Sequence, residues 1–222
     1  MKRLLILFSG LVLTVALVSR CGADIIPLTV DTNSSNVNLS VAGSADQSAV
    51  SGTVMFDHVD GSATSGNAQI TALDLTLDDA LTFTPFGLAG STAAGDVMVS
   101  LVTPGAPGTI SGGTFNQLQN LVALDGDIIA AGMTIDLSTV ALAPVDFNNI
   151  SVAQTGNVVT VGGSFEINET FEVLVGIFPL EINLIGTGQF EASGIKAEAI
   201  PEPGSLMVLL GMASVFLTRR RR

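Results

Sequence analysis

The chain has 222 residues, 47% of them hydrophobic, which suffices for a folded core and argues against wholesale disorder. Eight Lys and Arg stand against twenty Asp and Glu, a formal net charge of -12, and this excludes a phosphate-binding surface for DNA or RNA. The basic residues are also segregated. Lys2, Arg3 and Arg20 lie at the start, Arg219, Arg220, Arg221 and Arg222 at the end, and only Lys196 stands among the acids, which run from Asp24 to Glu202.

Residues 1–23 read as a secretory signal helix. Lys2 and Arg3 precede an apolar run from Leu4 to Val18, and the small residues Cys21, Gly22 and Ala23 offer a cleavage site after Ala23. Cys21 raises the option of lipidation, against which Arg20 counts, because such signals place a small residue before the acylated cysteine. Cleavage after Ala23 removes the only cysteine, so the mature chain has neither disulfides nor thiol chemistry.

Residues 24–199 read as one acidic β-domain. Residues 31–48, rich in Ser, Asn and Ala, are either a first strand or a flexible lead-in. Leu73, Leu75 and Leu77 alternate with Asp74, Thr76 and Asp78, the period of a half-buried strand. From Phe165 to Ile177 the apolar residues keep one parity, with Glu169 and Leu174 as exceptions. Ile182, Leu184, Phe190 and Ala192 share a parity with Gly186 and Gly188, which predicts a strand that bends or runs close to a neighbour. Turns are expected at Asp60-Gly61-Ser62, Pro104-Gly105, Leu124-Asp125-Gly126 and Thr155-Gly156-Asn157. The nearest approach to a helical period, Ala123 to Met133, is weakened by two glycines and adjacent β-branched residues. The expected fold is all-β, a mostly antiparallel sandwich or open barrel, with residues 193–204 as a linker.

The chemistry of this body is sparse. His58 is the only histidine; Asp57 and Asp60 flank it, but no nucleophile elbow accompanies them, and a surface histidine near a turn is the expected reading. Carboxylates from among Asp57, Asp60, Asp78, Asp79, Asp125 and Asp127 would be the acid and base of a hydrolase acting on polysaccharide. The absence of Trp and Tyr weighs against a sugar-stacking surface. No cofactor is expected, with calcium as an option at Asp125-Gly126-Asp127 or Asp57/Asp60-Gly61, neither of which completes a known calcium loop. A third option is a carrier of hydrophobic ligands, if the barrel encloses an apolar cavity.

The tail, residues 200–222, is a sorting element. Pro201, Glu202 and Pro203 precede an apolar stretch within 204–218, and Arg219, Arg220, Arg221 and Arg222 follow as a stop-transfer cluster held in the cytoplasm. A helix over residues 204–218 would be roughly 22 Å long, short of a hydrocarbon layer of about 30 Å, which suits a temporary transmembrane anchor. The run PEPGSLMVLLGMASVFLTRRRR resembles the PEP-CTERM sorting tail of bacterial envelope proteins. The resemblance implies a partner, an exosortase of the inner membrane, that recognises Pro201, Glu202 and Pro203 and releases or transfers the protein outward. Such tails occur in bacteria that make exopolysaccharide, which offers that polymer as a second partner. The reading is therefore a non-enzymatic, exported protein of the cell envelope, cell surface or extracellular matrix, with a structural or binding role.

Overall fold

Strict alternation of apolar and polar side chains lays down long strands here, and Gly-centred turns reverse them. A computed structural model describes residues 24–58, 65–83, 91–93, 97–130, 133–175 and 178–196. The first strands are β1 (Asp24–Val30), β2 (Asn36–Val41), β3 (Ser44–His58) and β4 (Gly66–Leu77). Shorter ones follow: β5 (Thr82–Phe83), β6 (Ser91–Ala93), β7 (Met98–Thr103) and β8 (Gly108–Ile110). Then come β9 (Thr114–Asp125), β10 (Asp127–Ala130), β11 (Met133–Asp136), β12 (Val145–Thr155), β13 (Val158–Val175) and β14 (Phe178–Ile195). A 3-10 turn, Leu137–Thr139, lies between β11 and β12.

Among the described residues every pairing is antiparallel, and the pairings close on themselves. From β3 they pass to β2, β14, β13, β12, β9, β7 and β4, and β4 returns to β3. β1 shares a place in this circuit with β2: it pairs with the second half of β3, while Thr29 and Val30 face Ser193 and Ala192 of β14. The expected sandwich or open barrel is thus a closed eight-position barrel. At this strand number the interior is either filled by side chains or holds one small ligand. Among the described residues the core is one apolar cluster from Ile26 to Ala192, and the void among Val37, Leu39, Leu124, Leu137, Phe165 and Ile167 measures about 20 Å³. That void has no room for a hydrophobic ligand. A second sheet of β11, β10, β6 and β5 adds Phe83 and Ile128 to the same core, and the 3-10 turn that follows it inserts Leu137.

Several expectations meet their structures directly. Leu73, Leu75 and Leu77 are buried in β4. Gly188 is closely approached, since a Cβ there would overlap the Phe165 ring. Glu169 breaks the parity of β13 because its Oε1 accepts a hydrogen bond from the Ala143 amide at 2.6 Å. Thr155-Gly156-Asn157 is the β12–β13 turn, with Gly156 at φ 61°. Residues 31–48 resolve into a turn, all of β2 and the start of β3; the turn between those strands is Ala42-Gly43, both at positive φ.

Other expectations need correction. Pro104-Gly105 does not turn a hairpin: β7 and β8 on either side of it both pair with β4. The expected linker begins later than residue 193, because β14 runs to Ile195. His58 is not on the surface. It is 1% exposed, stacked on Phe56 at a centroid distance of 6.0 Å, with Nε2 3.2 Å from the Ser65 carbonyl oxygen. Its parity in β3 is that of Val54 and Phe56, so the alternation that buries those residues carries His58 inward as well.

The middle of β4 lacks a strand on its outer edge, since β8 pairs with Gly66–Ala68 and β7 with Asp74–Thr76. Gln117 fills the gap. Its carboxamide bonds both the amide and the carbonyl of Ile70, and it also bonds Asn120, which in turn holds the Gly105 amide and the Val145 carbonyl. Both side chains are fully buried, and the left-handed Gln119 between them (φ 63°) marks the bulge that turns them inward.

Candidate functional site

Outward positions of neighbouring strands come into rows because pairing is in register across several ladders. Asn36 of β2 faces Gln189 of β14, Gln189 faces Ser164 of β13, and Ser164 faces Asn148 of β12. Two residues along, Gln47 of β3 faces Asn38, Asn38 faces Thr187, and Thr187 faces Glu166. These rows form the floor of an open groove of about 780 Å³ that also takes in Asp146 and Asn168. Among the described residues no Lys or Arg lines it.

The composition of this groove is unusual for a sheet surface. Asn is disfavoured in strands because its short amide competes for backbone hydrogen bonds, yet Asn36, Asn148 and Asn168 all sit at strand positions here. Among the described residues, the side chains of Asn36, Gln47, Asn148, Asn168 and Gln189 make no hydrogen bond within the protein. Their donors and acceptors therefore face solvent side by side. Asp146 is held differently: its Oδ1 accepts from the Gln119 amide at 2.8 Å.

Of the carboxylates singled out from sequence, Asp57 stands apart, while Asp78, Asp79 and Asp125 lie toward the other end of the β3–β4 ladder. Asp57 and Asp78 stand at opposite ends of the β3–β4 ladder, because His58 pairs with Ala68 at one end and Val50 with Leu77 at the other. At about 3.3 Å per residue that separation exceeds 20 Å, beyond the 5 to 10 Å of a hydrolytic pair. Asp78 and Asp79 are exposed after β4, and Asp125 caps the β9–β10 turn by accepting from the Gly126 amide. Asp127 pairs across strands with Asp136, whose carboxylate caps the 3-10 turn through Ser138. Asp60 lies outside the described residues. Among the described residues no three His, Cys, Asp or Glu side chains gather as a metal-binding group. Nothing in sequence spacing pointed to Asp146 and Glu166; they meet at the groove only through the pairing of β12 with β13.

Pro201, Glu202 and Pro203, the arginines 219–222, the signal segment 1–23 and the apolar segment 204–218 all lie outside the described residues. Among the described residues no helix is long and apolar enough to cross a membrane. The tail is identified by comparison instead: the model of the PEP-CTERM protein-sorting motif matches residues 199–222. That motif marks an exported protein, recognised and processed by an exosortase and destined for the cell envelope or surface. No other family model covers the body, and no curated protein and no solved structure matches the chain.

Proposed function

We propose that this protein, after export and exosortase processing, serves at the cell surface or in the extracellular matrix as a non-enzymatic binding or structural β-barrel. The observation that carries the reading is the sorting motif at residues 199–222, which follows a barrel whose described residues pack into one apolar core. Such an architecture leaves its outer surface as the working part. Twenty carboxylates in the whole chain keep it soluble outside the cell and repel anionic envelope polymers unless divalent cations intervene.

The test is the mature protein itself. Intact mass and terminal peptide mapping on material from envelope and medium should show loss of about the first 23 residues and of the arginine tail near Pro201. Retention of Arg222 in every fraction would overturn the processing half of the reading. The binding half is tested by where the processed protein goes: it should be retained with extracellular polymer and be released when that polymer is digested.

A hydrolase remains the second reading, and one observation favours it: Asp146 and Glu166 line the same groove. Release of reducing ends from an oligosaccharide, abolished by Glu166→Gln, would establish it in place of the binding role.

A further inference from the structure

We propose that the amide-rich groove across β3, β2, β14, β13 and β12 binds an uncharged, polyhydroxylated glycan strand. The inference rests on the binding role proposed above and gives it a site and a ligand class.

The argument begins with donors and acceptors. A primary carboxamide presents an N–H pair and a carbonyl on one rigid plane, which matches the adjacent hydroxyls of a sugar ring, each able to donate and accept. Asn36, Gln189 and Asn148 repeat that group along one row, with the Ser164 hydroxyl between the last two. Strands lie about 4.8 Å apart, close to the length of one hexose in an extended chain, so successive strands would meet successive sugar units. The groove volume of about 780 Å³ accommodates several such units.

Charge narrows the ligand further. With Glu166 and Asp146 in the groove and no Lys or Arg among its described lining residues, phosphate, sulfate and uronate groups are repelled, and a neutral strand is left. With neither Trp nor Tyr in the chain, stacking adds little, so each groove binds weakly and a polymer is held through many copies at once. The unpartnered amides also carry a cost: they occupy strand positions that Thr, Val or Ile would stabilise better. A ligand that uses them accounts for their presence.

The experiment is a titration of the full chain in mild detergent with maltohexaose, cellohexaose and chitohexaose, and with hexagalacturonate as the anionic comparator, followed through the side-chain amide resonances. At least one neutral hexamer should shift the Asn and Gln signals of the groove, the anionic one should not, and Asn148→Ala with Gln189→Ala should weaken binding about tenfold. Both residues are exposed, so the double variant should keep the parent melting temperature, and Asp125→Ala serves as the unaffected control. The proposal is overturned if none of the three neutral hexamers shifts these signals, if hexagalacturonate binds as well, or if the double variant binds unchanged. The two readings separate through retention in the extracellular polymer: retention that survives the double substitution removes the groove alone, while absence of retention in the unsubstituted protein removes the binding role.

Discussion

Gln117 and Ile70 are joined as two strands would be: Gln117 Nε2 donates to the Ile70 carbonyl at 2.9 Å, and its Oε1 accepts from the Ile70 amide at 2.7 Å. One side chain thus supplies the ladder that β4 lacks between β7 and β8. Truncating it strands two backbone polar groups in the core. Gln117→Ala should therefore cost about 2 to 4 kcal/mol, measured by denaturant unfolding, since each buried unsatisfied group costs about 1 to 3 kcal/mol. A loss below about 0.5 kcal/mol would mean that water or another side chain takes over both bonds.

Gly186 and Gly188 share a face of β14 but should respond oppositely to alanine. A Cβ at Gly186 would find Leu39 and Ile167 at 3.5 and 3.6 Å, ordinary contact beside the small void. Gly186→Ala should be neutral or stabilise by up to about 1 kcal/mol, because the unfolded chain loses freedom. At Gly188 the Phe165 ring is already in the way. Gly188→Ala should cost about 1 to 3 kcal/mol from overpacking. Equal melting temperatures for the two variants would contradict the packing described here.

Asp31 and Asp46 should set part of the acid limb of stability. Hydrogen bonds from Asn33, through its amide and side chain, hold Asp31 below the ordinary carboxyl value, and the amides of Thr82 and Gln47 do the same for Asp46. A carboxyl depressed by folding stabilises the protein above its unfolded pKa, and that contribution is lost as pH falls through the folded one. Melting temperature should accordingly fall as pH drops below about 4, and less steeply in Asp46→Asn. Asp31 is exposed and Asp46 half-buried, and both carboxylates reach solvent, so the effect shrinks in high salt. Identical pH slopes for parent and variant would remove Asp46 from the account.

Substituting Pro201, Glu202 and Pro203 together with alanine should leave the tail uncut. The full-length chain would then accumulate in the membrane fraction, with Arg222 detectable by peptide mapping. Normal release of the triple variant would show that processing does not read these residues.

Strand content was legible from sequence wherever alternation is clean, as at Leu73, Leu75 and Leu77, and the sorting tail was legible as a motif. Closure was not, because it depends on pairings such as Thr29 with Ser193 that join the two ends of the domain, and no local pattern encodes them. His58 misled for a related reason: its charged neighbours Asp57 and Asp60 suggest a surface, while its parity with Phe56 decides burial. The groove was hidden too. Asn36, Asn148, Ser164 and Gln189 look like unremarkable polar strand residues until three ladders place them in one row.

Because β1 and β2 share one position beside β14, the barrel needs its last strand to seat its first. A polypeptide passing through an export channel from its N-terminus cannot complete this domain while Phe178–Ile195 is still inside the cell. Long-range pairing of this kind is also slow. The topology therefore defers closure of the barrel until the strand that directly precedes the sorting tail has been made available for pairing.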